Sequence, residues 1–170
     1  MLEVRDAVPG DAHAIAVVHV VSWQAAYRGL LPDDVLAGLS VPVRERRLQD
    51  ELSAPQPRRG LVVVADETGV LGFARTGPEP DDPATGRLFA FYLHPDAWGR
   101  GVGSRLHAGA LDRLRSAGFT GARLWVLEGN ERAVRFYRRH GWEPTGRAQV
   151  EPGPDGVELR ERELAHSLRC

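Results

Sequence analysis

The chain has 170 residues, with 22 basic and 23 acidic side chains and a formal charge of −1, and every basic residue is an arginine. This length predicts one domain over residues 1–170, large enough for a full hydrophobic core, and 42% hydrophobic with 26% charged residues excludes a disordered or fibrous chain. The near-neutral balance excludes a general nucleic-acid or membrane-surface binder, and without lysine there is no Schiff-base lysine, lysine general base or phosphate-loop lysine.

The lone cysteine, Cys170, permits no intrachain disulfide and no cysteine-held metal. The first residues lack the charged-then-apolar layout of a signal peptide, and no apolar run approaches the roughly 20 residues of a membrane-spanning helix. A cytoplasmic protein is the expectation. Charge is unevenly placed. Residues 1–97 carry 9 arginines and 14 acids, residues 98–147 carry 10 and 4, and residues 148–170 carry 3 and 5. The basic central segment raises the question of a polyanionic ligand.

In chain order, Leu2–Arg5 reads as a short strand, and Asp11, after Pro9 and Gly10, as the N-cap of a helix reaching about Tyr27, apolar on Ile15, Val18, Trp23 and Ala26. Pro32, Asp33 and Asp34 start a short helix through Leu36 and Leu39, Val43 to about Leu52 forms a charged one, and Ser53–Gly60 is a loop. Leu61–Asp66 and Val70–Arg75, separated by Glu67-Thr68-Gly69, form a hairpin. Gly77–Gly86, rich in proline and acids, reads as an exposed loop, and Arg87–Leu93 as a buried strand. From Gly101 to Ala117 the apolar residues Val102, Leu106, Ala110 and Leu114 recur every four positions, and Gly118 supplies the stop. Ala122–Leu127 is a strand, Asn130–His140 a helix closed by Gly141, and Trp142–Gln149 and Val157–Leu164 are closing strands. The pattern is one α+β domain centred on a strand, loop, helix, strand, helix unit.

The loop in that unit, His94 to Ser104, carries Gly99, Gly101 and Gly103. Glycines admit backbone conformations barred to other residues and close approach of a ligand, and the following helix points its free N–H groups at the loop, so the pair makes an anion site. The Gly-x-Gly-x-Gly spacing, late in the chain, does not fit a dinucleotide fold, and the missing lysine excludes a nucleoside-triphosphate loop.

The segment Leu88–Trp142 resembles the GNAT superfamily of acetyl-CoA-dependent N-acetyltransferases. Its Gln/Arg-x-x-Gly-x-Gly/Ala motif falls on Trp98 to Gly103, with tryptophan in the first position. Its Asn-x-x-Ala-x-x-Phe/Leu-Tyr-x-x-x-Gly-Phe pattern falls on Asn130, Ala133, Phe136, Tyr137, Gly141 and Trp142. Ser22–Pro32 is similar to the acceptor border of many bacterial members.

The resemblance implies a mixed, mostly antiparallel sheet whose two central strands, Arg87–Leu93 and Ala122–Leu127, splay apart around acetyl-CoA. The residues implied in cofactor binding are Leu93, His94, Trp98, Gly99, Arg100, Gly101, Val102, Gly103, Ser104, Asn130 and Tyr137. Backbone near Leu93 would pair with pantetheine and polarise the thioester, the amides from Gly99 to Ser104 would hold pyrophosphate, and Tyr137 is the implied general acid. Many members place a glutamate base where this chain has Arg87. Glu128 and His94 are the nearest substitutes, each with an ordinary structural role open to it, and a water chain or an acceptor amine of low pKa needs neither. No base is assigned.

The implied reaction is acetyl transfer to a primary amine of a small molecule or a protein by direct attack in a ternary complex. A non-catalytic coenzyme-A-binding sensor on the same scaffold is the alternative. Trp23 and Tyr27, one turn apart, are candidates for the acceptor side, and the acidic loop Glu79, Asp81 and Asp82 for attracting a cation, but core packing and surface solubility explain them better. His13, His19, His107, His140 and His166 form no metal-ligand pattern. Exposed edges of an open sheet allow a homodimer.

Overall fold

The computed structural model describes residues 1–54 and 56–170. Among these, seven strands form one sheet: β1 (Glu3–Asp6), β2 (Gly60–Asp66), β3 (Gly69–Glu79), β4 (Asp82–Leu93), β5 (Gly121–Leu127), β6 (Glu143–Pro152) and β7 (Glu158–Ser167), in the order β1-β2-β3-β4-β5-β7-β6. The helices are α1 (Ala12–Ala26), α2 (Asp33–Ala37), α3 (Val41–Ser53), α4 (Val102–Ser116) and α5 (Glu131–Arg139). None is long and apolar enough to cross a membrane.

Alternation along β2 shows how the sheet divides the core. Val62 and Val64 pack with α4 on one face, and Leu61 and Val63 pack with α1 and α3 on the other. A strand buried on both faces must read as an unbroken apolar run, which Leu61–Ala65 does. The predicted apolar stripe of α4, Val102, Leu106, Ala110 and Leu114, is buried in full. Its end is a Schellman motif: Phe119 N–H donates to the Leu114 carbonyl at 3.2 Å and Gly118 N–H to that of Arg115 at 2.9 Å, with Gly118 at φ +90°.

All neighbouring strands run antiparallel except β4 and β5, which are parallel and touch through only two residue pairs, Gly86 with Ala122 and Arg87 with Arg123. Beyond Arg87 the two strands diverge. At that junction an added Cβ on Gly86 would lie 2.7 Å from Leu114 Cδ2 and 3.1 Å from Phe119, so glycine lets the end of α4 close over the point of contact. A register shift between Arg75 and Thr76 bends β4 at the same level.

Three expectations need correction. Gly77–Gly86 is not a loop. β3 continues to Glu79 and β4 begins at Asp82, because the prolines occupy the hairpin end, and Glu79 is only 5% exposed. Asp11 stands at the start of α1 without capping it. Its carboxylate is taken by Arg5, at 2.7 and 3.0 Å, and by Val8 N–H at 2.9 Å. α3 starts at Val41, two residues early, since proline fits a first turn and Ser40 accepts from Val43 N–H at 3.3 Å. The expected loop over residues 53–60 includes Pro55, which lies outside the described residues.

Candidate active site between the splayed strands

The divergence of β4 and β5 opens a cleft of about 590 Å³. Leu93, Trp98, Gly99, Gly101, Gly103, Ser104, Asn130 and Tyr137 lie on its wall. His94, Arg100 and Val102 do not. The His94 ring turns back to accept from Asp96 N–H at 3.2 Å, Arg100 reaches the Asp96 carbonyl at 3.3 Å, and Val102, the first residue of α4, turns its side chain into the core at 2% exposure.

One arm of the cleft is made of backbone. His94 N–H donates to the Leu71 carbonyl at 2.8 Å, so by antiparallel alternation the N–H and C=O groups of Leu93 and Phe91 point away from β3, into the splay. The Leu93 carbonyl is already taken by the Trp98 indole N–H at 3.1 Å. The loop that follows turns through Gly99 at φ +70° and Gly101 at φ +76°, where a Cβ would be strained and would point into open space. Gly101 is the residue before the first turn of α4, so its left-handed turn aims the helix's free N–H groups at the cleft. The Arg132 guanidinium lies 3.3 Å from the centre of the Trp98 ring, which brings a cation from α5 to this loop, a contact with no sequence signal.

The Asn130–Trp142 pattern is a helix with both ends written in sequence. The Asn130 side chain accepts from Ala133 N–H at 3.3 Å. At the other end Trp142 N–H donates to the Tyr137 carbonyl at 3.0 Å and Gly141 N–H to that of Arg138 at 3.2 Å, with Gly141 at φ +89°. The second cap places the Trp142 ring 6.0 Å from Tyr137, and Phe91 stands 6.0 Å away on the other side. The motif thereby fixes one phenol on the cleft wall, beside Phe91 of β4. Burial pushes that phenol well above its usual value, so it keeps its proton at neutral pH.

Beneath this arm, buried His107 accepts from the Trp142 indole N–H at 2.9 Å, which requires an unprotonated Nε2. Burial, with His140 and His166 alongside, lowers this imidazole to about 4. Ser104 Oγ lies 3.0 Å from His140 Nε2.

The other arm is made of side chains. Ser22, Tyr27, Phe89, Tyr92, Trp125 and Leu127 surround it. Arg87 points to the same face, 3.5 Å from Glu79, with its guanidinium 4.7 Å above the Phe89 ring. Glu128 is turned outward onto Arg162 at 2.9 Å. Of the acids Glu79, Asp81 and Asp82, the first is buried, and the other two lie 3.9 and 3.5 Å from Arg123. Among the described residues no group of histidine, cysteine and acidic side chains forms a metal site.

The family model for GNAT acetyltransferases matches residues 23–142. An N-acetyltransferase of Bacillus subtilis, YuaI, is 32% identical over 164 residues, covering 95% of this chain and 90% of that protein. The PaiA N-acetyltransferase of Thermoplasma acidophilum, solved with coenzyme A, superposes with a TM-score of 0.77 at 18% identity over 98% of this chain and 99% of that one. The yncA acetyltransferase of Salmonella typhimurium, solved with acetyl-CoA, gives 0.73 at 19% identity over 100% and 95%. Both share the mixed sheet with flanking helices. The chain therefore belongs to the GNAT acetyltransferase family.

Proposed function

We propose that residues 1–170 act in the cytoplasm as one catalytic unit that moves the acetyl group of acetyl-CoA to a primary amine by direct attack in a ternary complex. The observation that carries this reading is the meeting, in one cleft, of the left-handed Gly99–Gly101 turn at the start of α4 and the Tyr137 phenol. Gly99 and Gly101 line the cleft and a Cβ at either would meet no atom within 4 Å, so the turn leaves open space in which the amides can take a pyrophosphate.

Acetyl-CoA supplies an activated acyl group; the chain supplies position and protons. The outward N–H groups of Phe91 and Leu93 are the donors for pantetheine and for the thioester carbonyl oxygen, where negative charge grows during attack. The amides from Gly99 to Ser104, with Arg132 beside Trp98, hold phosphate. Asn130 sets the start of α5, and the Tyr137 hydroxyl gives its proton to the departing sulfur. A phenol is ordinarily a weaker acid than a thiol, about 10 against about 8.5, so the transfer is feasible but not strongly driven, and burial raises the proton affinity of a thiolate in the same cleft as well.

Free thiol release on adding acetyl-CoA and a panel of primary amines tests the assignment, with thermal stability read in parallel. Both a catalyst and a non-catalytic coenzyme-A sensor gain stability from acetyl-CoA. Only the catalyst releases thiol in step with acetylated amine. Stabilisation without release by any amine would overturn the catalytic reading in favour of the sensor.

A further inference from the structure

The acceptor arm has no base. Among the described residues lining the cleft there is no aspartate or glutamate, and the histidine that lines it, His140, belongs to the other arm, its Nδ1 2.8 Å from the Phe136 carbonyl and its Nε2 3.0 Å from Ser104 Oγ. Its phenols, Tyr27, Tyr92 and Tyr137, are all raised by burial and stay uncharged at neutral pH. The titratable groups behind this wall stand outside the cleft lining. His19 stacks on Tyr92 at 5.2 Å, and burial lowers it to about 3, leaving a neutral ring that is a poor proton acceptor. Glu79 faces Arg87 at 3.5 Å through Oε1, and its buried Oε2 has no hydrogen-bond partner but does not line the cleft; Glu163 holds Arg147 at 3.0 Å, Glu51 holds Arg75 at 3.0 Å, and Glu161 accepts from Gln149 at 2.7 Å.

The wall rings also carry cations. Arg87 and Arg59 stand over Phe89, at 4.7 and 5.9 Å, and Arg147 stands over Trp125 at 5.7 Å. An ammonium entering this aromatic chamber would lose its water without meeting a free carboxylate, which is costly. An uncharged amine on a flat body meets only rings and hydroxyls.

From this arrangement we infer that the acceptor is a weakly basic amine, already uncharged near neutral pH, carried on an apolar or aromatic body. The inference rests on the acetyl-transfer reading above. It also closes the proton balance. The amine nitrogen bonds to the acetyl carbon, the carbon–sulfur bond breaks with its electron pair on sulfur, and the nitrogen gives up one proton while the sulfur takes one through Tyr137. The products are an acetamide and a free thiol, and no outside base takes part. An amine as basic as a lysine, with a pKa of about 10.4, is uncharged in only roughly one molecule in 2,500 at pH 7, against about one in four for a pKa near 7.5.

The test compares phenethylamine with its difluorinated analogue, in which both fluorines sit beside the amine-bearing carbon. The two are nearly alike in shape, and the fluorines make the amine weakly basic. At pH 7 the fluorinated amine is expected to show kcat/KM roughly tenfold higher or more, with the gap closing as pH rises and each profile following the acceptor's own titration. Equal kcat/KM at pH 7 would overturn the inference. So would a pH profile shared by both acceptors and lost in Glu79→Gln, which would make that buried carboxylate the base. Absence of turnover with these and all other amines, while acetyl-CoA still binds, would instead overturn the acetyl-transfer reading itself.

Discussion

The two arms of the cleft are built from different materials. The donor arm is backbone: outward amides of β4, two left-handed glycines and the first turn of α4. The acceptor arm is side chains: Tyr27, Phe89, Tyr92 and Trp125, drawn from the C-terminal end of α1, β4 and β5. A ligand common to a family can be held by peptide groups, which every sequence has, provided glycine permits the turn. A ligand particular to one member must be read by side chains, and those are free to differ. The contrast predicts that substitutions at the glycines act on the cosubstrate, while acceptor choice responds to the aromatic wall.

The largest effect is expected at the turn. Gly101→Val forces a β-branched residue to φ +76° and fills the cradle, so acetyl-CoA affinity should fall by more than about 10²-fold by calorimetric titration. Circular dichroism should remain native, because an added Cβ there meets no atom within 4 Å. Tyr137→Phe should lower kcat by about 10²-fold with acetyl-CoA affinity unchanged, since it removes a proton and not a contact surface. Equal loss of affinity would move Tyr137 from chemistry to binding.

Acid should loosen the footing of the donor arm. His107 is held at about 4 in the fold against 6.5 in the unfolded chain, so the unfolded state binds the extra proton between those values. Its contribution is complete above pH 6.5 and is lost as pH falls toward 4, on the order of 2 kcal/mol by denaturant titration at each pH. His107→Gln, which accepts from Trp142 without titrating, should flatten that fall. The smallest effect belongs to Trp98→Ala. It frees the Leu93 carbonyl and removes the seat of Arg132, and acetyl-CoA affinity should drop by about tenfold.

The donor arm was legible in the sequence because its determinants are local. Gly99 and Gly101 announce the turn, the four-residue repeat announces α4, and Asn130 with Gly141 announces both ends of α5. The splay follows from the resemblance, and its position at Arg87 agrees with the last paired residues of β4 and β5. What sequence could not carry was long-range. The Glu79–Arg87 pair lies across a hairpin whose prolines read as a loop, the Trp142–His107 bond joins residues 35 apart, and the Arg132 stack on Trp98 couples two motifs that read as independent. Asp11 shows the same limit at short range. Its position reads as a helix cap, but Arg5 offers it a charged partner and wins the carboxylate.

The division of labour between the arms is most directly tested by amide hydrogen exchange with and without saturating acetyl-CoA. Slowed exchange is predicted at Phe91, Leu93 and residues 99–104, with Ser22–Tyr27 and Trp125 unchanged until an acceptor is added. Protection confined to another surface, such as the groove beside Gln149 and Glu161 on β6 and β7, or no protection at saturation, would contradict it.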